Sequence, residues 1–473
     1  MVSLAALGLA GRRQERKPRF PSLNLLSFGA LALALSTQLG AADLVDVYRL
    51  AQRADATYAA ARATWAATQE RIPQARAGLL PLASVSASTQ FTDRSTRFRD
   101  ETPRASGNFG SGNLSLSVTQ PLYRPQASVA YEQALTQVQQ ADAQLAVAAQ
   151  DLILRVAQAY FDVLLAQDNV AFAEAQKAAI GQQLEQAKRN FEVGTATITD
   201  THEAQARYDL TTAQEIAARS DVELRRRALE QVIARAAPPL APLGPQFTMK
   251  APEPAIMDTW ASLAQRGNLQ VRVAQSALTF ASQEIDRNRA ARYPTVDAFA
   301  NASGNTAGAQ NTGGVGTDTR SAAVGLQLAI PLYQGGALTS RVRESIANED
   351  RARQDLESAR RTAEFNARQA YLGITNGIAQ VRALEAALVS TQSQLASTRL
   401  GQEVGVRTQV DVLNAQQLLF SARRDLASSK YTYVLSLLRL EAAIGELTES
   451  DVVAVNEWLD RANANGKPLS LKP

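Results

Sequence analysis

The chain has 473 residues, of which 45% are hydrophobic and 6% aromatic, and its formal net charge at pH 7 is +4. It contains no cysteine, which excludes disulfides, thiolate metal sites, thiol nucleophiles and a lipidated cysteine. The excess positive charge lies in residues 1–42, because the rest of the chain has equal numbers of basic and acidic residues. The composition therefore gives no reason to expect nucleic-acid binding.

Residues 1–42 have the pattern of an export signal peptide. A basic stretch at 12–19 precedes an apolar run at 23–35, and small residues follow up to Ala42. This pattern predicts cleavage near Ala42. An uncleaved membrane anchor is the alternative, but the apolar run is short for a membrane span. No later segment is apolar over eighteen residues, so we expect the mature chain to span a bilayer only with β-strands.

The rest of the chain is an internal duplication. Residues 191–205 recur as residues 402–416, and other landmarks recur at nearly the same offset. The repeat is much longer than a solenoid unit, so it indicates a duplicated half-domain. We predict a first repeat at 43–250, a second repeat at 251–458 and a C-terminal tail at 459–473.

A long helical hairpin is predicted in each repeat, at about 125–236 and about 336–445. Proline is absent from most of both stretches, and apolar residues recur every three or four positions. Gly194 and Gly405 interrupt the two patterns and predict left-handed turns at the hairpin tips. Thr199 or Thr408 is the expected cap of the helix that follows.

Each repeat also contains a predicted β-hairpin, at about 80–122 and about 294–332, with strands of about ten residues. Aliphatic residues alternate with small polar ones, as in a barrel with a lipid-facing exterior and a wet lumen. A soluble sheet with one buried face is the alternative. Three tyrosines at the strand ends, Tyr123, Tyr293 and Tyr333, favour the membrane interpretation, because tyrosine is enriched at membrane–water interfaces.

Four strands are too few for a closed barrel, which needs at least about eight. We therefore expect two, three or four copies of the chain to share one barrel, because an open strand edge is not tolerated in lipid. The strand-connecting loops, predicted at 94–110 and 304–319, would face the cell exterior. The predicted fold class is thus mostly α, with long antiparallel hairpins and four strands that belong to a transmembrane β-barrel.

Three motifs stand out beside the duplication: the Pro-Leu-Tyr-Gln-Gly-Gly run at 331–336, the segment 403–414, and the segment 444–453. Together with the duplication they resemble TolC-type outer-membrane efflux proteins, and the likeness covers about 43–458. The resemblance implies a homotrimer with a twelve-stranded barrel in outer-membrane lipid and a twelve-helix tunnel in the periplasm. It also implies a periplasmic adaptor, an inner-membrane ABC, RND or MFS transporter, and export of proteins (type I secretion), drugs or other toxic compounds.

The resemblance further implies a periplasmic gate at the hairpin tips. Asp411 matches the constricting aspartate of the family, whereas Asn414 stands where a second aspartate is frequent, so we expect a weaker cation filter. A closing network would join Arg407 to Thr199 and Gln402 to Asp200. The residues alone favour a plainer role for Asp411, as a helix cap or dipole partner.

Two other classes of function compete with an export channel. A trimeric coiled-coil surface fibre or adhesin also shares a barrel between chains, but its strands lie at the C-terminus rather than within each half. An enzyme requires a catalytic constellation, which the motifs do not provide. His202 is the only histidine and is expected to be solvated, and no cofactor or metal site is predicted.

Overall fold

The computed structural model describes residues 41–97, 104–309 and 315–460, so most of the predicted signal peptide and C-terminal tail lie outside the described residues. Mostly long helices and one antiparallel sheet make up this part of the chain. In chain order the elements are α1 (Leu44–Ala54), α2 (Ala56–Gln69), α3 (Arg71–Ala77), β1 (Leu82–Arg97), β2 (Arg104–Tyr123), α4 (Pro125–Glu192), α5 (Ile198–Ile233), α6 (Met257–Gly267), α7 (Leu269–Ala290), β3 (Thr295–Ala307), β4 (Thr317–Ala329), α8 (Ala337–Glu403), α9 (Gln409–Ile444) and α10 (Glu449–Asn456).

Two helical hairpins dominate the structure. The outgoing helices α4 and α8 have 68 and 67 residues, and the return helices α5 and α9 have 36 each. At 1.5 Å per residue an outgoing helix is about 100 Å long. Pro125 occupies the start of α4, where the missing N–H costs nothing. Within the described residues, no helix combines the length and apolarity that crossing a bilayer requires.

Both hairpin tips use the same turn. Gly194 and Gly405 adopt a φ of 80°, in the left-handed region that glycine enters without a Cβ clash. The turn is closed by backbone hydrogen bonds from Thr195 N–H to Asn190 O and from Val406 N–H to Gly401 O, both of 2.8 Å. The duplication therefore preserves the tip in its hydrogen bonding as well as in its sequence.

The return helices begin with reciprocal caps. Thr408 caps α9 together with Asp411, and Thr197 caps α5 together with Asp200. The expectation that Thr199 caps the first return helix is wrong, because a capping box needs an acidic side chain three residues after the threonine. Thr197 meets that requirement, whereas Thr199 lies inside α5 with an exposed side chain.

The sheet has the strand order β1-β2-β3-β4, and every pairing is antiparallel. The strands have 16, 20, 13 and 13 residues, so they are longer than the predicted ten. The predicted loops at 94–110 and 304–319 are therefore too long: backbone pairing continues into their polar, glycine-rich ends, because a ladder hydrogen bond does not depend on an apolar side chain. Serines cross all four strands in one row, through Ser86, Ser115, Ser303 and Ser321.

The opposite face of the sheet is aliphatic and uncovered within the chain. Val85, Val324 and Leu326 have exposed fractions of 69%, 85% and 70%. The three tyrosines, Tyr123, Tyr293 and Tyr333, lie at the helical end of the sheet and are also exposed. At this end Arg124 forms a bidentate ion pair with Asp297, with distances of 2.9 and 2.8 Å.

The largest hydrophobic core lies between the sheet and the hairpin tips. It joins α1, α4, α6 and α9 around large buried residues that include Tyr160, Phe161, Tyr433 and Leu438. Nearer the tips, two smaller clusters each belong to one hairpin. One contains Leu395, Val412, Ala415 and Leu419, and the other contains Leu184, Ala187 and Ala204.

Gly405→Ala should destabilise the protein by about 1–2 kcal/mol, because an L-residue is strained at a positive φ. Gly181→Ala is a matched control inside α4, where the new Cβ would meet Tyr208 at an ordinary 3.4 Å. Alanine is the better helix former, so the control should be neutral or stabilising by up to about 1 kcal/mol. Thermal unfolding followed by circular dichroism measures both changes. A stability loss of equal size in the two variants would contradict the assignment of Gly405 to a strained turn.

Candidate functional site

The tip of the second hairpin holds an ionised carboxylate in a fixed position. Asp411 Oδ2 accepts hydrogen bonds from the backbone N–H and the hydroxyl of Thr408, each of 2.9 Å. These bonds lower the pKa of Asp411, with a smaller contribution from the charge of Arg407. The capping role and a lumenal role are therefore compatible, since a capped carboxylate keeps its charge and its place.

Arg407 lies in the turn beside a glycine that the sequence analysis missed. A Cβ added at Gly401 would lie only 2.7 Å from the Arg407 Cγ. Gly401 O also accepts the backbone N–H of Arg407 at 3.0 Å. Any larger residue at position 401 would therefore displace the Arg407 side chain. The first hairpin has Asn190 at the equivalent position, opposite Ala196.

Gln402 is placed differently from the expected network. Its amide donates to Gln409 Oε1, and Gln409 in turn donates to Gln183 Oε1 at 2.6 Å. Asp200 accepts from the Thr197 hydroxyl at 2.8 Å. Within one chain, Gln402 is thus joined to the first hairpin through two glutamines of α9 and α4.

Asn414 is held by an arginine from the first hairpin. Arg207 donates to Asn414 Oδ1 at 3.1 Å and to Gln417 Oε1 at 2.8 Å. Its guanidinium also lies 3.8 Å from Glu203. Sequence reasoning missed Arg207, because its partners on α9 are about 207 residues away and no local pattern marks such a pairing. The structure therefore places a positive charge next to the asparagine.

A groove with a volume of about 400 Å³ lies between the two hairpins, next to these contacts. Helices α4, α5 and α9 supply its walls, which are apolar at Phe172, Leu210 and Phe420 and charged at Arg207 and Arg424. Such a mixed groove can receive an amphipathic helix. No cluster of three or more acidic, histidine or cysteine side chains suited to a metal occurs in the part of the chain that the structure describes.

A half-buried carboxyl group of α4 joins the first hairpin to α9 of the second. The Tyr431 hydroxyl donates to Asp168 Oδ2 at 2.7 Å. Burial raises the pKa of Asp168 to about 6, and the hydrogen bond from Tyr431 opposes this rise. Arg423 and Lys430 line the same cavity. This pair lies where the main core ends and the separate tip clusters begin.

Comparison with known proteins gives a consistent result. The model of the family described as "Outer membrane efflux protein" matches residues 47–235 and 260–446. The chain is 35% identical over 428 residues to the outer membrane protein TolC of Vibrio cholerae serotype O1, which covers 90% of this chain and 95% of that protein. It is 33% identical over 440 residues to the alkaline protease secretion protein AprF of Pseudomonas aeruginosa, with 90% and 89% covered.

Solved structures show the same fold at lower identity. The CmeC outer membrane channel of Campylobacter jejuni superposes with a TM-score of 0.74 at 16% identity, covering 97% of this chain and 99% of that one. The outer membrane protein VceC of Vibrio cholerae gives a TM-score of 0.73 at 19% identity, with 85% and 96% covered.

Asp168→Asn should raise the melting temperature at pH 7.5 and lose that advantage by pH 5. The pKa of Asp168 in the folded chain, about 6, exceeds its ordinary value of 3.8, so the folded chain binds the proton more tightly than the unfolded chain does. Wild-type stability therefore rises as the pH falls through 6, whereas asparagine does not titrate and still accepts from Tyr431. Thermal melts across this pH range measure the difference.

Tyr431→Phe is the complementary variant. It leaves the carboxylate buried without its donor, so its loss of stability relative to wild type should grow as the pH rises above 6. A stability difference that does not change with pH, in either variant, would show that Asp168 does not titrate in this range.

Proposed function

Because the chain belongs to the outer membrane efflux protein family, it is a subunit of an outer-membrane channel for secretion and efflux, and we propose that its second hairpin tip forms the periplasmic gate. The observation that carries this proposal is the fixed, ionised carboxylate of Asp411 at the start of α9, next to Arg407. Rotational symmetry would bring three such carboxylates around one axis. A ring of like charges attracts cations and repels anions.

The assembled channel would be a homotrimer in which three four-stranded sheets pair edge to edge. Twelve long helices, four from each chain, would then line a tunnel through the periplasm. The exposed aliphatic face supports contact of the sheet with lipid. Tyr123, Tyr293 and Tyr333 lie at one end of the sheet, where amphipathic rings favour the lipid headgroups.

The closed gate would be held by contacts between neighbouring tips. Arg407 would bond Thr199, and Gln402, whose amide has a second N–H beside the one that bonds Gln409, would donate it to Asp200. Asn414 carries no charge, so the filter would be a single ring of Asp411 carboxylates. Asn414, one turn after Asp411, accepts a hydrogen bond from Arg207, so no second carboxylate strengthens the ring at this position.

A periplasmic adaptor would dock in the groove between the hairpins, and an inner-membrane ABC, RND or MFS transporter would supply the cargo. The mixed apolar and charged lining of the groove supports a helical partner. Protein cargo is supported by the likeness to AprF, which is named for alkaline protease secretion. Drugs and small toxic compounds are the second class of cargo, supported by the efflux family that the chain matches.

Asp411→Ala should reduce the preference of the channel for cations over anions. Removing one carboxylate from each subunit abolishes the proposed ring, and a change of severalfold in the permeability ratio is expected for the loss of three charges. Reversal potentials in planar bilayers under a salt gradient measure this ratio. Asp425→Ala is the control, because Asp425 is an exposed carboxylate on the same helix. An unchanged ratio in Asp411→Ala would exclude the filter.

Arg407→Ser should raise the single-channel conductance of the purified trimer. The variant removes the donor that would hold neighbouring tips together, so the aperture should open more often or more widely. Arg382→Ser removes an exposed arginine far from the tip, in α8, and should leave the conductance unchanged. Equal conductance in wild type and Arg407→Ser would refute the proposed contact.

A further inference from the structure

Gln416 has an amide group that is buried without a hydrogen-bond partner. The residue is 1% exposed, and neither its Oε1 nor its Nε2 is hydrogen bonded within the described residues. A buried amide of this kind raises the free energy of the arrangement that contains it. The burial occurs inside a single chain, so a neighbouring subunit cannot reach the amide in this arrangement.

The residue interrupts an apolar stripe of α9. Val412 and Leu419 belong to the small cluster that packs α9 on α8. Leu413 and Phe420 line the groove that α9 shares with α4 and α5. Gln416 lies between these two pairs at helical spacing, so it is placed where the second hairpin meets the first. A polar residue in such a seam costs stability.

The duplication provides an internal comparison. Gln205 occupies the equivalent position in the first hairpin, and its Nε2 donates to Asp209 Oδ1 at 2.9 Å. The equivalent of Asp209 in the second hairpin is Phe420, which offers no acceptor. The glutamine is therefore present in both hairpins, but its partner is present only in the first. The unpartnered, destabilising amide is therefore in the hairpin that carries Arg407 and Asp411.

Separation of the hairpin tips would leave the main core intact, because the tip clusters are distinct from it. Beyond the Asp168–Tyr431 pair, each apolar cluster lies within one hairpin. The contacts between the hairpins there include polar ones, from Gln409 to Gln183 and from Arg207 to Asn414. Water can replace such polar partners when the tips part. The same movement would give the Gln416 amide access to water.

We propose that Gln416 is a positioning residue whose unpartnered amide destabilises the closed arrangement and shifts the gate equilibrium toward opening. This inference rests on the gate proposed above. Gln416 itself would contact neither cargo nor ions. Its effect is on the free-energy difference between the closed and open arrangements of the second hairpin, because the cost is present in one and relieved in the other.

Gln416→Met tests the proposal, since methionine is similar in length and needs no hydrogen bond. We expect the ratio of open to closed time in single-channel recordings to fall about tenfold, equivalent to about 1.4 kcal/mol. The melting temperature should rise. Gln416→Leu should change both quantities in the same direction. Gln205→Met is the matched control in the first hairpin and should leave the open-to-closed ratio unchanged.

An unchanged or increased ratio in Gln416→Met would overturn the inference. A higher melting temperature with an unchanged ratio would overturn it as well, because the amide would then affect stability alone. Arg407→Ser, recorded in the same bilayers, separates this failure from that of the gate itself. If Arg407→Ser raises the conductance while Gln416→Met has no effect, only the role of Gln416 is refuted.

Discussion

The two unpaired edges of the sheet are the constraint on which the rest of the molecule depends. Among the described strands, β1 pairs only with β2 and β4 pairs only with β3. The outer backbone groups of these strands require partners, and the aliphatic face requires an apolar environment. Copies of the chain that pair edge to edge in lipid satisfy both requirements. A closed wall between copies encloses a passage, so the channel function follows from what one chain leaves incomplete.

The middle of the molecule holds the largest apolar core and the bonds that fasten the two repeats together. The linker between the repeats is fastened to the long helices by tyrosines. The Tyr160 hydroxyl donates to Ala241 O at 2.7 Å, and the Tyr433 hydroxyl both accepts from and donates to the backbone of Lys250, at 2.9 Å each. Large buried aromatic residues surround these bonds. Toward the tips the apolar clusters are small, and a smaller local stability permits motion there.

The sequence predicted the fold well, because a long heptad-like pattern, an alternating pattern and a duplication are each local or periodic signals. It also predicted the tip glycines, since Gly194 and Gly405 interrupt otherwise continuous helices. The side-chain contacts of the tip were not predictable in the same way. Arg207 and Gln183 bond residues of α9 more than 200 positions away, and a single sequence contains no signal for such pairs. Thr197 rather than Thr199 caps α5 because it stands three residues before Asp200, the spacing that a capping box requires.

The two halves of the duplication differ at a few positions near their tips. Their turns, caps and helix lengths are nearly the same, so the shared features are those that any such hairpin needs. Arg407, Asn414 and Phe420 stand where the first hairpin has Ala196, Glu203 and Asp209. The second hairpin thus has a cation at its turn that the first lacks, and it lacks two carboxylates that the first carries along its return helix. In the gate that we propose, the second hairpin moves between two arrangements, and polar contacts that water can replace would suit that movement. The first hairpin, as the supporting half, would keep its salt bridges and the hydrogen bond between Gln205 and Asp209.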